Sequence, residues 1–195
     1  TPPIIFDNEV IITSLLDVKF FDIKSGRFKY KIDIHPKNKS FKKGGVVWAG
    51  NALDKKNRLL FLPVGNPRPA LIGIDRKGEN SNANSLIAID LKKRNIKWVF
   101  QDVIHDLWDF DVSSPPILTN LKFGNKILET VIITTKTGNT HVLERNSGYS
   151  LFKINYKEAP RSKIFGEITS KFQIDQDLPE KLINIEFDPN QLTLE

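Results

Sequence analysis

One spacing of residues occurs three times along the chain and constrains its fold more than any other feature. In each copy an apolar stretch ends at an acidic residue, a turn follows, and an aromatic residue stands eight positions after the acid. The three pairs are Asp22 with Tyr30, Asp90 with Trp98, and Glu144 with Phe152. This pattern predicts a β-hairpin whose acid accepts backbone N–H bonds from the turn. The aromatic residue on the returning strand is expected to pack on the neighbouring unit.

The fourth position after each acid separates the middle copy from the other two. Gly26 and Gly148 stand there in the first and third copies, and glycine adopts the positive φ that tight turns need without a steric penalty. Arg94 stands there in the second copy. We therefore expect the middle turn to differ from the others or to be strained.

The distance between the copies predicts a β-propeller. The acids are 68 and 54 residues apart, which leaves room for a four-stranded antiparallel sheet with loops in each unit. A β-sandwich would explain the strands but not the repeated spacing, and small repeated sheets are typical of propeller blades. The fold class is therefore all-β, with about three blades in residues 1–156 and an irregular connection or tail in 157–195. The start, Thr-Pro-Pro-Ile-Ile, has no initiator Met, so we expect a piece of a longer protein.

Composition excludes several classes of function. The net charge of +6 and the pI of about 9.4 would suit nucleic acid or an anionic membrane surface. The lysines are scattered through loops without interleaved aromatics, which predicts a solvated surface and no nucleic-acid partner: Lys37, Lys39, Lys42, Lys43, Lys55, Lys56, Lys92 and Lys93. Without cysteine the chain has no disulfide and no cysteine zinc site, and its three scattered histidines do not form a zinc triad. No apolar run approaches the roughly 20 residues that span a bilayer.

The stretch HDLWDFD concentrates three acids and a tryptophan in a basic chain. If its second half is extended, Asp109 and Asp111 lie on one face and their carboxylates can hold a hard cation such as Ca²⁺. One of them can act as a general base when a cation neutralises its neighbour. The alternative is that both are acids of a turn, without a ligand.

Three further motifs contain residues suited to a cofactor site. In LPVGNPRP, Asn66 offers an amide oxygen, a neutral ligand for Ca²⁺. In GGVVWAGNALD, small residues flank Trp48 and would let a flat ligand approach its face. In TTKTGNTHVLER, Lys136 follows a strand and can pair with an anionic ligand. Taken singly, they are also compatible with an ordinary turn, a core tryptophan and a solvated lysine.

Together, four stretches resemble one known family: VWAGNALDKKNRLLFLPVGNP, SLIAIDLKKRNIKWVFQ, IHDLWDFDVSSPPIL and VIITTKTGNTHVLERNSG. They are similar to the pyrroloquinoline-quinone (PQQ)-dependent dehydrogenases, quinoproteins that oxidise alcohols and sugars, and most of all to the membrane-associated glucose/polyol type. The resemblance covers about residues 17 to 160. It implies an eight-bladed propeller with the quinone near its axis.

The resemblance also implies a role for each site residue. Trp48 would stack on the quinone, and Asn66 would bind the metal that holds it. Asp109 would take the proton of the substrate hydroxyl, next to the metal, and Lys136 would contact the quinone oxygens. Asp111 stands where lanthanide-using relatives have an extra acidic ligand, but calcium-type sugar relatives have an acid there too. The metal is therefore Ca²⁺ or a lanthanide.

The function implied by the resemblance is oxidation of an alcohol or sugar hydroxyl, with metal-bound PQQ as hydride acceptor. Ubiquinone or a cytochrome would take the electrons, in the periplasm, with inner-membrane association through parts outside this chain. Two departures from the family are Ile104, where a second histidine often stands, and a looser loop between Arg68 and Arg76. An acidic metal ligand comes from an earlier blade in the family, so this chain would hold half a site. A cofactor-free propeller scaffold is the alternative, but it has no need for Trp48, Asn66, Asp109 and Lys136 together.

Overall fold

The computed structural model describes residues 1–14, 16–35 and 45–175, and every regular element in these ranges is a β-strand. Four of the lysines that were predicted to form a solvated surface lie outside the described residues: Lys37, Lys39, Lys42 and Lys43. The strands are β1 (Ile4–Phe6), β2 (Glu9–Thr13), β3 (Asp17–Asp22), β4 (Phe28–Asp33), β5 (Ala52–Asp54), β6 (Leu59–Val64), β7 (Ser85–Asp90), β8 (Asn95–Gln101), β9 (Ile117–Phe123), β10 (Lys126–Thr134), β11 (Thr140–Glu144), β12 (Tyr156–Glu158) and β13 (Phe172–Ile174).

Three antiparallel sheets follow one another along the chain, each with its strands in sequence order. The first contains β1 to β4, the second β5 to β8, and the third β9 to β11. This confirms the all-β, antiparallel prediction. The third sheet has three strands in the described part of the chain, where four were predicted. One isolated antiparallel bridge pairs Leu143 of β11 with Ser150.

The repeated acids end β3, β7 and β11 and hold the turns that follow. Asp22 accepts a hydrogen bond from the Ser25 amide at 2.8 Å, and Asp90 accepts one from the Lys93 amide at 2.8 Å. Glu144 accepts one from the amide three residues further on at 2.6 Å. The prediction that each acid binds turn N–H groups is therefore confirmed.

The middle turn has the same geometry as the two glycine turns. Arg94 has a φ of 58°, against 69° for Gly26 and 77° for Gly148. In all three turns this amide donates to the carbonyl oxygen of the acid, at 2.8 or 2.9 Å. The expectation that the middle turn differs is wrong, whereas the alternative expectation of strain agrees with an arginine in the left-handed conformation that glycine adopts more easily.

Two of the three marker aromatics, Tyr30 and Trp98, contact the neighbouring sheet as predicted, whereas the Phe152 ring lies against Phe123 of the third sheet itself. The Arg94 guanidinium lies 4.3 Å from the ring centroid of Tyr30, so the second turn covers the aromatic of the first sheet. Trp98 donates from Nε1 to the Arg145 carbonyl at 3.2 Å, in the third turn. A Cβ at Gly148 would lie 2.7 Å from the Trp98 ring, so only glycine leaves room for this contact.

The central sheet is buried on both faces because it lies between the other two. All residues of β6 and β7 are buried. Their side chains alternate between faces, so Leu60, Leu62 and Ile87 join a core with the first sheet. Leu59, Phe61 and Leu86 join a second core with residues of the third sheet.

The antiparallel order places alternate connections on opposite sides of the stacked sheets. The chain reverses at every strand, so the connections after β4, β6, β8 and β10 share one side. The acid-containing turns after β3, β7 and β11 share the other side. The connections after β4, β6, β8 and β10 contain all five predicted site residues.

Residues 156–174 contain more order than the sequence predicts for this segment. Strands β12 and β13 pair as a small antiparallel sheet, and Gln173 exchanges two hydrogen bonds with the backbone of Ile104. Residues 176–195 lie outside the described residues, and the predicted division after residue 156 stays a prediction. Within the described ranges, no helix is long and apolar enough to cross a membrane.

A buried ion pair joins the second and third sheets and gives a testable stability effect. Arg145 Nη1 donates to Asp54 Oδ2 at 2.7 Å, and the two side chains are 9% and 4% exposed. Replacing Arg145 with Met would leave a buried carboxylate without its partner. We expect a loss of about 3–5 kcal/mol in the free energy of unfolding, measured by urea denaturation.

The double variant Arg145→Met with Asp54→Asn is expected to recover part of that loss, because the unpaired charge is gone. Arg161→Met, at an exposed position, serves as the control and should change stability little. Equal stability of Arg145→Met and Arg161→Met would show that the pair does not hold the sheets together.

Candidate cofactor and cation site

The structure brings all five predicted site residues into one cleft. Trp48 follows β4, Asn66 follows β6, Asp109 and Asp111 follow β8, and Lys136 follows β10. The cleft has a volume of about 450 Å³, and Trp48, Asn66, Asp109 and Asp111 line it. Lys136 reaches it from the next loop, with its Nζ 6.0 Å from the Trp48 ring centroid.

Direct hydrogen bonds connect four of these five residues, all except Trp48. Lys136 Nζ donates to Asp109 Oδ2 at 2.9 Å and to Asp111 Oδ2 at 2.6 Å. Asn66 donates from its backbone N–H to Asp111 Oδ1 at 2.5 Å and from Nδ2 to Asp109 Oδ1 at 3.2 Å. Residues 70 positions apart in sequence therefore form one polar cluster.

The two carboxylates converge through a turn and not through an extended strand. Between Gln101 at the end of β8 and Ile117 at the start of β9 the chain has no strand. Asp109 has a φ of 64°, and the Asp111 amide donates to the Asp109 carbonyl at 3.1 Å. The expectation of an extended Trp108–Asp111 segment is wrong, but both acids still reach the same partner.

Asp106, the first acid of HDLWDFD, shapes this turn from inside. Its side chain is fully buried and accepts hydrogen bonds from the Trp108 and Phe110 amides at 2.8 and 2.7 Å. Asn84 donates a third, at 2.7 Å. Burial raises the pKa of Asp106, while these hydrogen bonds oppose that rise. Asp106 therefore stabilises the loop and does not face the cleft.

Sequence reasoning missed Arg76, which joins the loop that contains Asn66 to the loop that contains Asp109 and Asp111. Arg76 is 1% exposed, and it donates to the carbonyl oxygens of Pro69, Ala70 and Asp106. Asn66 donates to the same Ala70 carbonyl at 3.1 Å. A lone arginine in a loop gives no sequence signal of burial, so only the structure could show this role.

The donor set suits a hard cation. Asn66 Oδ1 is buried and has no hydrogen-bond partner, although buried amide oxygens are normally satisfied. Its neighbours are two carboxylates, and Ca²⁺ takes carboxylate and amide oxygens. Within the described ranges, no group of three or more His, Cys, Asp or Glu side chains could hold a metal. The cleft itself offers the two carboxylates and the Asn66 amide oxygen.

The cleft also suits a flat ligand. Trp48 is 48% exposed, which is high for a tryptophan and leaves a ring face free. Behind it two loops approach so closely that a Cβ at Gly45 would lie 2.1 Å from the Gly65 carbonyl oxygen. A Cβ at Gly65 would lie 2.4 Å from Asp111 Oδ1 and 3.0 Å from Trp48 Nε1. Glycine is therefore required where the two loops meet.

Electrostatics keep the exposed acid ionised. The Lys136 hydrogen bond lowers the pKa of Asp109, burial opposes this shift, and the Asn66 hydrogen bond lowers the pKa further. Burial alone would lower the pKa of Lys136, but the hydrogen bonds to Asp111 and Asp109 raise it overall. At neutral pH, Asp109 is a carboxylate and Lys136 an ammonium group. The carboxylate is in the protonation state that a general base requires.

Replacing Gly65 with Ala should disturb the site without removing any functional group. The added methyl group would push Asp111 and Trp48 out of place, because both already lie within contact distance. We expect a changed tryptophan fluorescence spectrum and at least tenfold weaker cation binding, about 1.4 kcal/mol. In the control Gly50→Ala, the added Cβ would contact only Pro115, at 3.3 Å, and we expect this variant to behave like the wild type.

With this geometry established, comparison with known proteins defines the class. The family model for the β-propeller domain of PQQ-dependent glucose, ethanol and alcohol dehydrogenases matches residues 1–191. The chain belongs to this family.

Curated relatives agree with this assignment. The chain is 37% identical over 141 residues to quinoprotein glucose dehydrogenase A of Acinetobacter calcoaceticus, covering 68% of this chain and 17% of that protein. It is 26% identical over 194 residues to the quinoprotein glucose dehydrogenase of Escherichia coli K12, covering 89% of this chain and 24% of the relative. The chain therefore spans about a sixth to a quarter of the length of these relatives.

Solved structures support the fold. A quinohemoprotein alcohol dehydrogenase of Pseudomonas putida HK5 superposes with a TM-score of 0.66 at 21% identity, over 77% of this chain and 26% of that chain. A europium-containing methanol dehydrogenase gives a TM-score of 0.66 at 17% identity, over 76% of this chain and 32% of the other. The propeller prediction is thus confirmed at the level of the fold.

Proposed function

We propose that this chain supplies half of the PQQ and cation site of a dehydrogenase that oxidises an alcohol or sugar hydroxyl. The observation that carries the proposal is the buried Asn66 Oδ1 without a hydrogen-bond partner, beside two carboxylates and a half-exposed Trp48. A cation ligand at that oxygen accounts for an atom that would otherwise be costly to bury.

In this proposal, four of the residues position the bound groups. The Asn66 amide oxygen and the Asp109 carboxylate would hold the cation, and Asp111 fixes the Asn66 backbone through its hydrogen bond. Trp48 would form one wall for the flat cofactor. The chemistry that bound PQQ and its cation supply is acceptance of a hydride from the substrate carbon.

The protein's own chemistry is proton transfer and charge stabilisation. Asp109 is ionised and its side chain is 45% exposed, so an incoming hydroxyl can reach the carboxylate and donate its proton to it. Lys136 carries a positive charge at the cleft and would stabilise negative charge that develops on bound oxygens. These roles for Asp109 and Lys136 follow from position and charge together.

The complete protein is proposed to be an eight-bladed ring, of which this chain forms three sheets. Relatives named as glucose, glycerol and quinate dehydrogenases favour a polyol or sugar substrate. Ubiquinone or a cytochrome would take up the electrons, and the location would be the periplasm, at or near the inner membrane. The metal would be Ca²⁺ or a lanthanide.

The alternative, a propeller scaffold without a cofactor, does not explain the cleft. A scaffold would gain stability from a satisfied amide at Asn66 and from a buried tryptophan at position 48. Instead the oxygen is buried without a partner and the ring is half exposed. A cation bound at that oxygen and a flat ligand at that ring would give both features a use.

The test is a substrate panel on the full-length protein, with and without added PQQ and Ca²⁺. Glucose, glycerol, quinate and ethanol would be assayed by reduction of an artificial electron acceptor. We expect turnover with at least one of them that requires both PQQ and the cation. Turnover that is absent with every substrate, or that does not depend on PQQ, would contradict the proposal.

A further inference from the structure

Lys136 neutralises much of the negative charge that a cation in the cleft would meet. Its Nζ lies 2.9 Å from Asp109 Oδ2 and 2.6 Å from Asp111 Oδ2. The Asp111 side chain is only 9% exposed, and each of its oxygens already accepts a hydrogen bond, from the Asn66 amide and from Lys136. Asp109 is more exposed and faces the cleft.

We propose that Lys136 lowers the preference of this site for trivalent over divalent cations by holding the Asp111 carboxylate. The inference rests on the proposed cofactor function and concerns the choice of metal at the same site. The Asp111 carboxylate would favour a highly charged ion, but the Lys136 ammonium group is in direct contact with it and balances its charge. Lys136 therefore offsets part of the preference that an acid at this position would give to a trivalent ion.

The physical basis is that Coulomb energy scales with the charge of the bound ion. A lysine opposes a trivalent ion one and a half times as strongly as a divalent ion at the same place. At a separation of about 6 Å and a water-like dielectric, one unit charge changes the affinity for a divalent ion by about tenfold. The corresponding factor for a trivalent ion is about thirtyfold.

Removal of the Lys136 charge should therefore strengthen cation binding, and more so for trivalent ions. A residue whose role is only to stabilise the fold would weaken binding when replaced. The expected sign thus separates the proposal from a structural role. Lys136 is 36% exposed along its side chain, so a methionine of similar length can replace it without opening a cavity.

The experiment measures Tb³⁺ luminescence sensitised by tryptophan in the full-length protein without quinone, and Ca²⁺ affinity by competition. The variants are Lys136→Met and the charge-conserving Lys136→Arg. Lys126→Met is the control for net charge, because Lys126 begins β10 at the end away from the cleft. Nine residues of strand separate that end from the cleft, roughly 30 Å.

We expect Lys136→Met to bind Ca²⁺ about tenfold and Tb³⁺ about thirtyfold more tightly than the wild type. Lys136→Arg and Lys126→Met should stay near the wild type. Equal gains for both ions, or weaker binding by Lys136→Met, would overturn the inference while leaving the cation site in place. Absence of sensitised luminescence in every protein would instead contradict the cation site itself, and the inference with it.

Discussion

Replacing Asp109 with Asn is expected to lower kcat about 10²–10⁴-fold while the cofactor remains bound. The amide keeps the size of the side chain and can still meet Asn66, but it cannot accept the substrate proton. Because the side chain is 45% exposed, the substitution should cost little stability. Steady-state kinetics with an artificial acceptor would give kcat and KM, and tryptophan fluorescence would give the affinity for PQQ.

The matched control is Asp75→Asn, an exposed acid in the loop that also contains Asn66. It removes the same charge on the same side of the sheets but has no place in the cleft. Near-wild-type kcat is expected for this control. An Asp109→Asn variant with kcat within a factor of three of wild type would show that another group takes the proton.

Replacing Lys136 with Met is expected to lower kcat about 10²–10³-fold, because a charge that stabilises developing negative charge is lost. Cation affinity is expected to rise in the same variant, so turnover and metal binding should change in opposite directions. A general loss of folding would reduce both. Kinetics at saturating Ca²⁺ and PQQ would separate the two effects.

Lys136→Arg is the informative companion, because it keeps the charge but changes the shape of the donor group. We expect it to retain more activity than Lys136→Met. Equal kcat for Lys136→Met and the wild type would exclude Lys136 from the reaction.

The hairpin repeat was predictable because its residues act locally. An acid that caps a turn and an aromatic residue eight positions later need only their own hairpin and the next one. For this reason Asp90 and Trp98 could be placed from sequence alone, and the structure confirms both contacts. The geometry of the Arg94 turn was only half predicted: the turn matches the glycine turns, at the cost of a positive φ for an arginine whose guanidinium lies over Tyr30 of a different sheet.

The site was only partly predictable, because its members meet through tertiary structure. The residue types suited a cation and a flat cofactor, and the resemblance to a family grouped them. The turn at Asp109 was not predictable, since it depends on the buried Asp106 and on Arg76 from another loop. The sequence does not show which of the acids in this short stretch is buried and which faces the cleft.

Binding of PQQ with Ca²⁺ tests the central claim most directly. Tryptophan fluorescence of the full-length protein would be followed during titration with PQQ at fixed Ca²⁺, in the wild type, Asn66→Ala and Trp48→Phe. We predict saturable quenching that requires Ca²⁺. The PQQ affinity obtained from this titration should be at least about a hundredfold weaker in Asn66→Ala, and the quenching should be largely lost in Trp48→Phe. Quenching unchanged in both variants would contradict the claim that these residues form the cofactor and cation site.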